Sequence, residues 1–546
     1  MAAAIVIESF AASSARSSAL FDSNVWTSSD IVRAPFTRSD ADVILRTADR
    51  ADFHVHRNIL AISSPFFESM FSLPQPAHQG EALPVVPVTE RGPAIDTLLR
   101  IIYPVRDPPI TSVELARDTL EAALKYDMVV VTDHMKRVLS EFISTKPLRV
   151  FAVACIHGLE ELAKKAADVV ITKGAVAGSY VPELEHVSAA CYYRLLQYER
   201  ITAEERTSFE FCRGQTTKAD PSKPKVSISS DDRSSAYLFN EAADVEIITS
   251  DKVRFRVIGD VISLASPVFR EKMSEAKSNK RRHADGNAAE TPLVLTVPEH
   301  SSTTKALLQL CYPSNMPDLS DQSILISVFC AAKAYKMNRA VDLLWGKWFK
   351  FTSSNPLLSF LIASSNDYRD ATILAAKALL SKKRDELLTT YIDYMEIAKA
   401  GPYYRLLAYH KACCQSATNL RFGLSPRWHD QLQATSCARC THLRPFTPNS
   451  TTMFCPDWVH AYVSKAAEFL ADLPDASVAR SDAVLGELLR QYTASACSSC
   501  REKTNLVTGL LTAFEDVIGK AIAEVDTGML FKDHCGFFRF FGSAPR

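Results

Sequence analysis

The sequence predicts an α+β protein in which one domain of strands and helices occurs twice, each copy followed by a helical extension, ahead of a mainly helical C-terminal region. Three observations carry this. First, ordered matches run along the chain: Asp42-Val43-Ile44-Leu45 and Asp244-Val245-Glu246-Ile247, Phe53 and Phe255, Ser64-Pro65 and Ser266-Pro267, and Phe67 and Phe269 all lie 202 positions apart. Tyr103-Pro104, Tyr126, Met128 and Pro147 return 209 positions later, and Tyr192-Tyr193-Arg194-Leu195-Leu196 returns whole as Tyr403-Tyr404-Arg405-Leu406-Leu407 after 211. Second, the patterning inside a copy reads strand, strand, helix, helix, strand and then helices. Third, the chain from about Leu424 onward has no counterpart in the duplication. Each repeat spans about 170 residues, far more than a solenoid unit, so the copies are whole domains.

In chain order, residues 1–38 read as a disordered Ala- and Ser-rich tail, with a mitochondrial presequence as the alternative. The first domain covers 39–146. Val43 and Leu45 alternate with polar neighbours, Thr47 to Asp52 turns, and Phe53 to His56 resumes a strand, which is a hairpin signature. Ile59, Leu60 and Ile62 then follow at helical spacing. Ser64-Pro65 restarts a helix with a cap and a first-turn proline, and Phe66, Phe67, Met70 and Phe71 are expected to form its buried stripe. A strand at Leu83 to Val88 precedes helices at Ala94 to Ile102 and from Leu115 onward. A helical extension covers 147–206, and 207–240 has the composition of a linker. The second, diverged domain covers 241–350 and its extension 351–423. It gains about seven residues at Lys277 to Ala289, a basic stretch that reads as an enlarged surface loop. Residues 424–546 complete the chain.

Bulk composition narrows the function classes. A chain of 546 residues with 47% hydrophobic and 23% charged residues is ordinary multidomain globular protein. Lys+Arg and Asp+Glu balance at 62 each, so no overall field draws the molecule to nucleic acid or an anionic membrane. No apolar run is long enough to span a bilayer. The 13 cysteines, an odd count with no export signal, point to thiols or metal ligands in the cytoplasm or nucleus. No Gly-x-Ser-x-Gly, Walker loop, His-Glu-x-x-His or dinucleotide fingerprint occurs, and a non-enzymatic role is expected.

Asp42-Val-x-Leu45, Phe53-x-Val-His56-Arg57-x-x-Leu60-Ala61-x-x-Ser64-Pro65-Phe66-Phe67 and the later Tyr103-Pro104 resemble the BTB/POZ fold. The resemblance covers roughly 39–145 well and 241–345 more weakly, and the whole arrangement resembles fungal BTB proteins with two tandem copies. It implies a protein-protein interaction scaffold that forms a homodimer through the first copy, with duty as an adaptor for a cullin-type ubiquitin ligase as an alternative. It also places Asp42 and Arg57, with His56 beside them, in a charged pocket near the dimer axis. The alternative is that Asp42 and His56 satisfy backbone groups within one chain. In the second copy Asp244 remains, while Ile258 and Gly259 replace the His and Arg, so the pocket is lost there.

Cys437-Ala-Arg-Cys440 and Cys497-Ser-Ser-Cys500 suit a structural tetrathiolate zinc site. Cysteines lining helix ends are the alternative, and His442, Cys455 and His460 are substitute ligands. His54 and His56 face one side of a strand but lack a third ligand. Lys277, Lys280, Arg281, Arg282 and His283 form the one basic cluster, read as a solvated run rather than an import signal. A nuclear regulator with a zinc-stabilised C-terminal module is the remaining alternative, although neutral net charge weighs against nucleic acid as a partner.

Overall fold

The computed structural model describes residues 34–73, 83–174, 180–212, 243–282, 292–312, 316–419, 430–431, 443–446, 453–498 and 504–532. The chain divides into two compact units, residues 1–216 and 217–546. Among the described residues no helix is long and apolar enough to cross a membrane.

In the first unit β1 (Val43–Arg46) pairs antiparallel with β2 (Asp52–Val55) and parallel with β3 (Val85–Pro87), so β1 is the central strand. Alternation does the sorting: Val43, Leu45, Phe53 and Val55 are buried, while Arg46 is exposed and bonds Asp52 across the hairpin at 2.7 Å. The turn between β1 and β2 is built from side chains. The Thr47 hydroxyl accepts the Ala51 N–H at 3.0 Å, Arg50 takes the left-handed conformation at φ 63°, and Asp49 accepts the Gly92 N–H at 2.9 Å. Asp49 thereby ties the turn to the first residue of α3 (Gly92–Ile102).

Between β2 and β3 lie α1 (Arg57–Ser63) and α2 (Pro65–Ser72). Ser64 breaks the two helices apart: its backbone is extended, its hydroxyl caps Phe67 N–H at 3.1 Å, and the same hydroxyl donates to the Tyr126 carbonyl at 2.5 Å. The stripe expected on α2 is only partly buried. Phe67 is enclosed, whereas Phe66, one residue and about 100° round the helix, is 40% exposed. The helices α4 (Val113–Lys125), α5 (Val129–Phe142), α6 (Pro147–Ile156), α7 (Glu160–Thr172) and α8 (Ala189–Tyr198) follow, then a short α9 (Ala203–Thr207). Two stretches read from composition as tail and linker contribute to the packing. Phe36 is buried against Phe53 and Tyr103, and Phe211 is buried against Phe151 and Tyr198.

The second unit opens with β4 (Val245–Ile248), β5 (Arg254–Val257) and β6 (Leu293–Thr296) in the order β5-β4-β6, again antiparallel and then parallel. The pairs Val43↔Val55 and Leu45↔Phe53 in the first sheet match Val245↔Val257 and Ile247↔Phe255 in the second. The turn is rebuilt with the same chemistry: Thr249 accepts Val253 N–H at 3.1 Å, Lys252 sits at φ 66°, and Asp251 accepts Ser301 N–H at 3.0 Å. Helices α10 (Gly259–Ala265) and α11 (Pro267–Arg282) flank Ser266, which caps Phe269 and donates to the Tyr335 carbonyl at 2.6 Å. α11 is twice as long as α2, because the first residues of the basic insertion continue the helix rather than form a loop. His283 and the rest of that insertion to Ala289 lie outside the described residues.

Helices α12 (Ser301–Cys311), α13 (Gln322–Ala334), α14 (Asn338–Ser354), α15 (Pro356–Ser365), α16 (Arg369–Leu379), α17 (Arg384–Thr389) and α18 (Ala400–Thr418) complete this part. A β7–β8 hairpin (Leu443–Phe446 with Met453–Pro456) and helices α19 (Asp457–Leu470), α20 (Asp482–Ser495) and α21 (Thr504–Ala523) then gather around buried Trp458, Tyr462 and Phe514. The chain finally returns to α18: buried Arg405 donates to the Leu530 carbonyl at 3.0 Å. Its counterpart Arg194 donates to the Phe211 carbonyl at 2.9 Å, which gives the repeated Tyr-Tyr-Arg-Leu-Leu run a shared task of clasping the segment that closes each unit.

Candidate protein-interaction site

The strand β2 ends at Val55 and delivers His56 and Arg57 to the start of α1, directly across from Asp42, which precedes β1. The structure therefore brings the three expected residues together. They do not form a side-chain ion pair of Asp42 with Arg57. Asp42 is exposed and its Oδ1 accepts the backbone N–H of Arg57 at 2.7 Å, supplying an acceptor to an otherwise uncapped helix start. The Arg57 guanidinium lies over the Phe71 ring, 5.4 Å from its centroid, and its Nε is buried without a hydrogen-bond partner. His56 is held by Tyr103, whose hydroxyl accepts the His56 backbone N–H at 2.8 Å and meets its Nδ1 at 3.2 Å. On its other side Nε2 stands 3.7 Å from Asp40. Arg38 binds the Asp40 carboxylate at 2.7 Å and holds its pKa down at about 2.

The same two helices carry exposed apolar side chains, one of which, Phe66, was expected in the buried stripe of α2. Ile62 on α1 is 87% exposed and Phe66, four residues later on α2, is 40% exposed. The signal that separates Ile62 from the core was present: Leu60 fills the buried face of α1, and a residue two positions later faces roughly the opposite way. Asp40 and Arg38 were not singled out, and Tyr103 was read only through the repeat and the resemblance, because their roles at this site depend on contacts between separate parts of the chain.

In the second unit the polar group is reduced. Asp244 Oδ1 accepts Gly259 N–H at 2.6 Å and Tyr312 accepts Ile258 N–H at 3.0 Å, so both helix-start contacts persist without the histidine and arginine side chains. The exposed aliphatic position persists too, as Leu264, 84% exposed.

Cys437, Cys440 and Cys500 lie outside the described residues, as does His442. Cys497 is half-buried just beyond α20, and Cys455 is buried at the end of β8, where burial pushes its thiol up to about 11. Among the described residues no group of three or more His, Cys, Asp and Glu side chains is arranged to hold a metal, the His54–His56 strand included.

Residues 35–143 match the family model of the BTB/POZ domain, about one fifth of the chain. No curated protein sequence matches the chain. BTB/POZ domains mediate self-association and binding to other proteins, in some cases to a cullin. The three-stranded sheet, the helices α1 to α5 and the exposed Ile62 and Phe66 all fall inside the matched segment, so the first unit contains a BTB/POZ domain, a module of protein-protein interaction.

Proposed function

We propose that the protein is a non-enzymatic scaffold or adaptor that self-associates through its BTB/POZ domain and presents its second unit to other proteins. The observation that carries this reading is the exposure of Ile62 and Phe66 on α1 and α2, the first of which starts at Arg57 beside Asp42 and His56. A nearly fully exposed Ile costs hydration free energy that docking against a second apolar surface relieves, by about 1.5–3 kcal/mol for complete burial. A twofold contact puts the same patch on both partners, so Ile62 meets apolar surface while Arg57 and Asp42 supply opposite charges for registration. Light scattering on the full chain tests it. The expected result is a dimer that Ile62→Glu, or Asp42→Ala combined with Arg57→Ala, converts to monomer without loss of helical signal; a monomeric wild-type protein refutes it.

The second unit is, in this reading, a diverged second BTB copy. Its supports are the identical strand order, the shared register, and the recurrence of the Thr, Asp, Ser and Tyr contacts that hold turn, cap and helix start. For the C-terminal region we propose a structural zinc held by Cys437, Cys440, Cys497 and Cys500. Support comes from the surrounding elements: Cys440 precedes β7 by three residues, Cys497 follows α20 by two, and Trp458 at the head of α19 packs edge-on against Tyr492 of α20 with ring centroids 5.1 Å apart. Metal analysis of the purified protein is expected to give one zinc per chain, lost in Cys437→Ser and Cys500→Ser.

A further inference from the structure

Three cysteines far apart in sequence meet in the helical extension of the first unit. Cys155 lies near the end of α6, Cys191 in the first turn of α8, and Cys212 at the end of the closing segment. Phe211, next to Cys212, packs against Phe151, one helical turn before Cys155, with ring centroids 5.2 Å apart, and the Cys191 and Cys212 side chains lie near enough to act on the Cys155 thiol. The backbone around Cys212 is pinned. Glu160 accepts the N–H groups of Phe211 and Cys212 at 2.9 Å each, while Arg194 at 2.9 Å and the Cys191 thiol at 3.4 Å donate to the Phe211 carbonyl. Cys155 and Cys191 are buried and Cys212 is half-exposed. The cluster is peculiar to this unit: the corresponding positions in the second are Ser364 and Pro402.

We propose that Cys212 and Cys155 form a reversible disulfide that locks the closing segment onto α6 under oxidising conditions. A buried structural thiol needs no second and third thiol beside it, and cytosolic disulfides of this kind are characteristically transient and redox-sensing. Hydrogen peroxide is the oxidant. Its O–O bond breaks as the half-exposed Cys212 sulfur takes one oxygen, giving a sulfenic acid and one water. The Cys155 sulfur then displaces the hydroxyl of that sulfenic acid, forming the S–S bond and releasing a second water. Two thiols lose two electrons and two protons in total, and peroxide is reduced to two waters. Glutathione reverses the change by thiol-disulfide exchange. Cys212 is the half-exposed member of the cluster, so peroxide reaches it before the buried Cys155.

Trypsin separates the three cysteines into peptides ending at Lys164, Arg194 and Arg213, which makes the linkage readable. The full chain is treated with hydrogen peroxide, unreacted thiols are alkylated in denaturant, and non-reducing peptide mapping is run beside a thermal melt. The expected result is the Cys155 peptide joined to the Cys212 peptide, restored to two free peptides by glutathione. The oxidised protein is also expected to melt several degrees higher than the reduced one, a gain absent in Cys212→Ser. Recovery of Cys212 as a free thiol, as sulfinic acid, or linked to any cysteine other than Cys155 overturns the proposal.

Discussion

Glu183, completely buried in the short 3₁₀ turn Pro182–Glu185, accepts hydrogen bonds from the Arg149 guanidinium, with Arg149 Nε 3.0 Å from its Oε1. Arg149 also reaches Glu114 at 2.5 Å, and Arg117 stands 3.9 Å from Glu183, so a cluster of charges joins α4 and α6 to that turn. The corresponding positions of the second unit are Ile326, Leu358 and Tyr394, which pack against its hydrophobic core. One architecture thus holds the same junction by ions in one unit and by apolar contact in the other. Removing a single partner strands a buried charge: Glu183→Leu is expected to destabilise the first unit by about 3–5 kcal/mol. Arg117→Ile with Arg149→Leu and Glu183→Tyr together, the set the second unit uses, is expected to leave stability within about 1–2 kcal/mol of wild type or above it. Urea denaturation of the three proteins checks both values.

Ser64 and Ser266 each cap a helix and bond a tyrosine carbonyl from inside the core. Ser64→Ala and Ser266→Ala are therefore expected to cost about 1–3 kcal/mol apiece, each in its own unit. Hydrogen exchange resolved by peptide checks that the loss of protection stays within the unit mutated.

Gly259 and Arg57 start equivalent helices under different constraints. A Cβ on Gly259 meets Val245 Cγ2 at 2.9 Å and the Asp244 carboxylate oxygens at 3.1 and 3.2 Å. Gly259→Ala is accordingly expected to destabilise the second unit by about 1–3 kcal/mol, and a thermal melt reads it. Arg57→Ala keeps a Cβ where one already fits, so its effect should appear in association and not in the melt.

His157 follows α6, and burial together with the nearby Arg117 lowers its pKa from the ordinary 6.5 to about 4. Its folded pKa lies below the unfolded one, so unfolded chains bind this proton first as the solution is acidified. The contribution is full above pH 6.5 and is lost as pH falls from there toward 4, by up to roughly 3 kcal/mol. His157→Gln is expected to flatten that part of the pH-stability curve of the first unit; an unchanged slope between pH 6.5 and 4 contradicts the assignment.

The fold was largely legible because alternation and caps are local. Val43, Leu45 and Phe53 announce strands, and Ser64-Pro65 announces a helix start, in one unit as in the other. What escaped was set by distant contacts. Composition made Phe36 and Phe211 look like tail and linker, yet each fills a hole whose walls are Phe53 and Tyr103 or Phe151 and Tyr198. Helical spacing listed Phe66 with Phe67, and only packing against Tyr126 and Phe67 leaves its outer edge in water. For the candidate site, Asp42, His56 and Arg57 were found by type and position. The sequence left open whether Asp42 pairs with a guanidinium or satisfies a backbone group within one chain; it accepts a backbone N–H, because α1 begins directly across from it.

On the proposed function, the α1 face around Ile62 is a contact between two copies of this chain. A photo-reactive phenylalanine analogue placed at position 62 of the 546-residue protein, irradiated and mapped by mass spectrometry, shows what that position touches. The predicted result is a covalent dimer whose cross-links join position 62 to residues between 35 and 143 of the other copy. A product that stays monomeric at concentrations where light scattering finds the dimer, or cross-links falling only beyond residue 243, contradicts it.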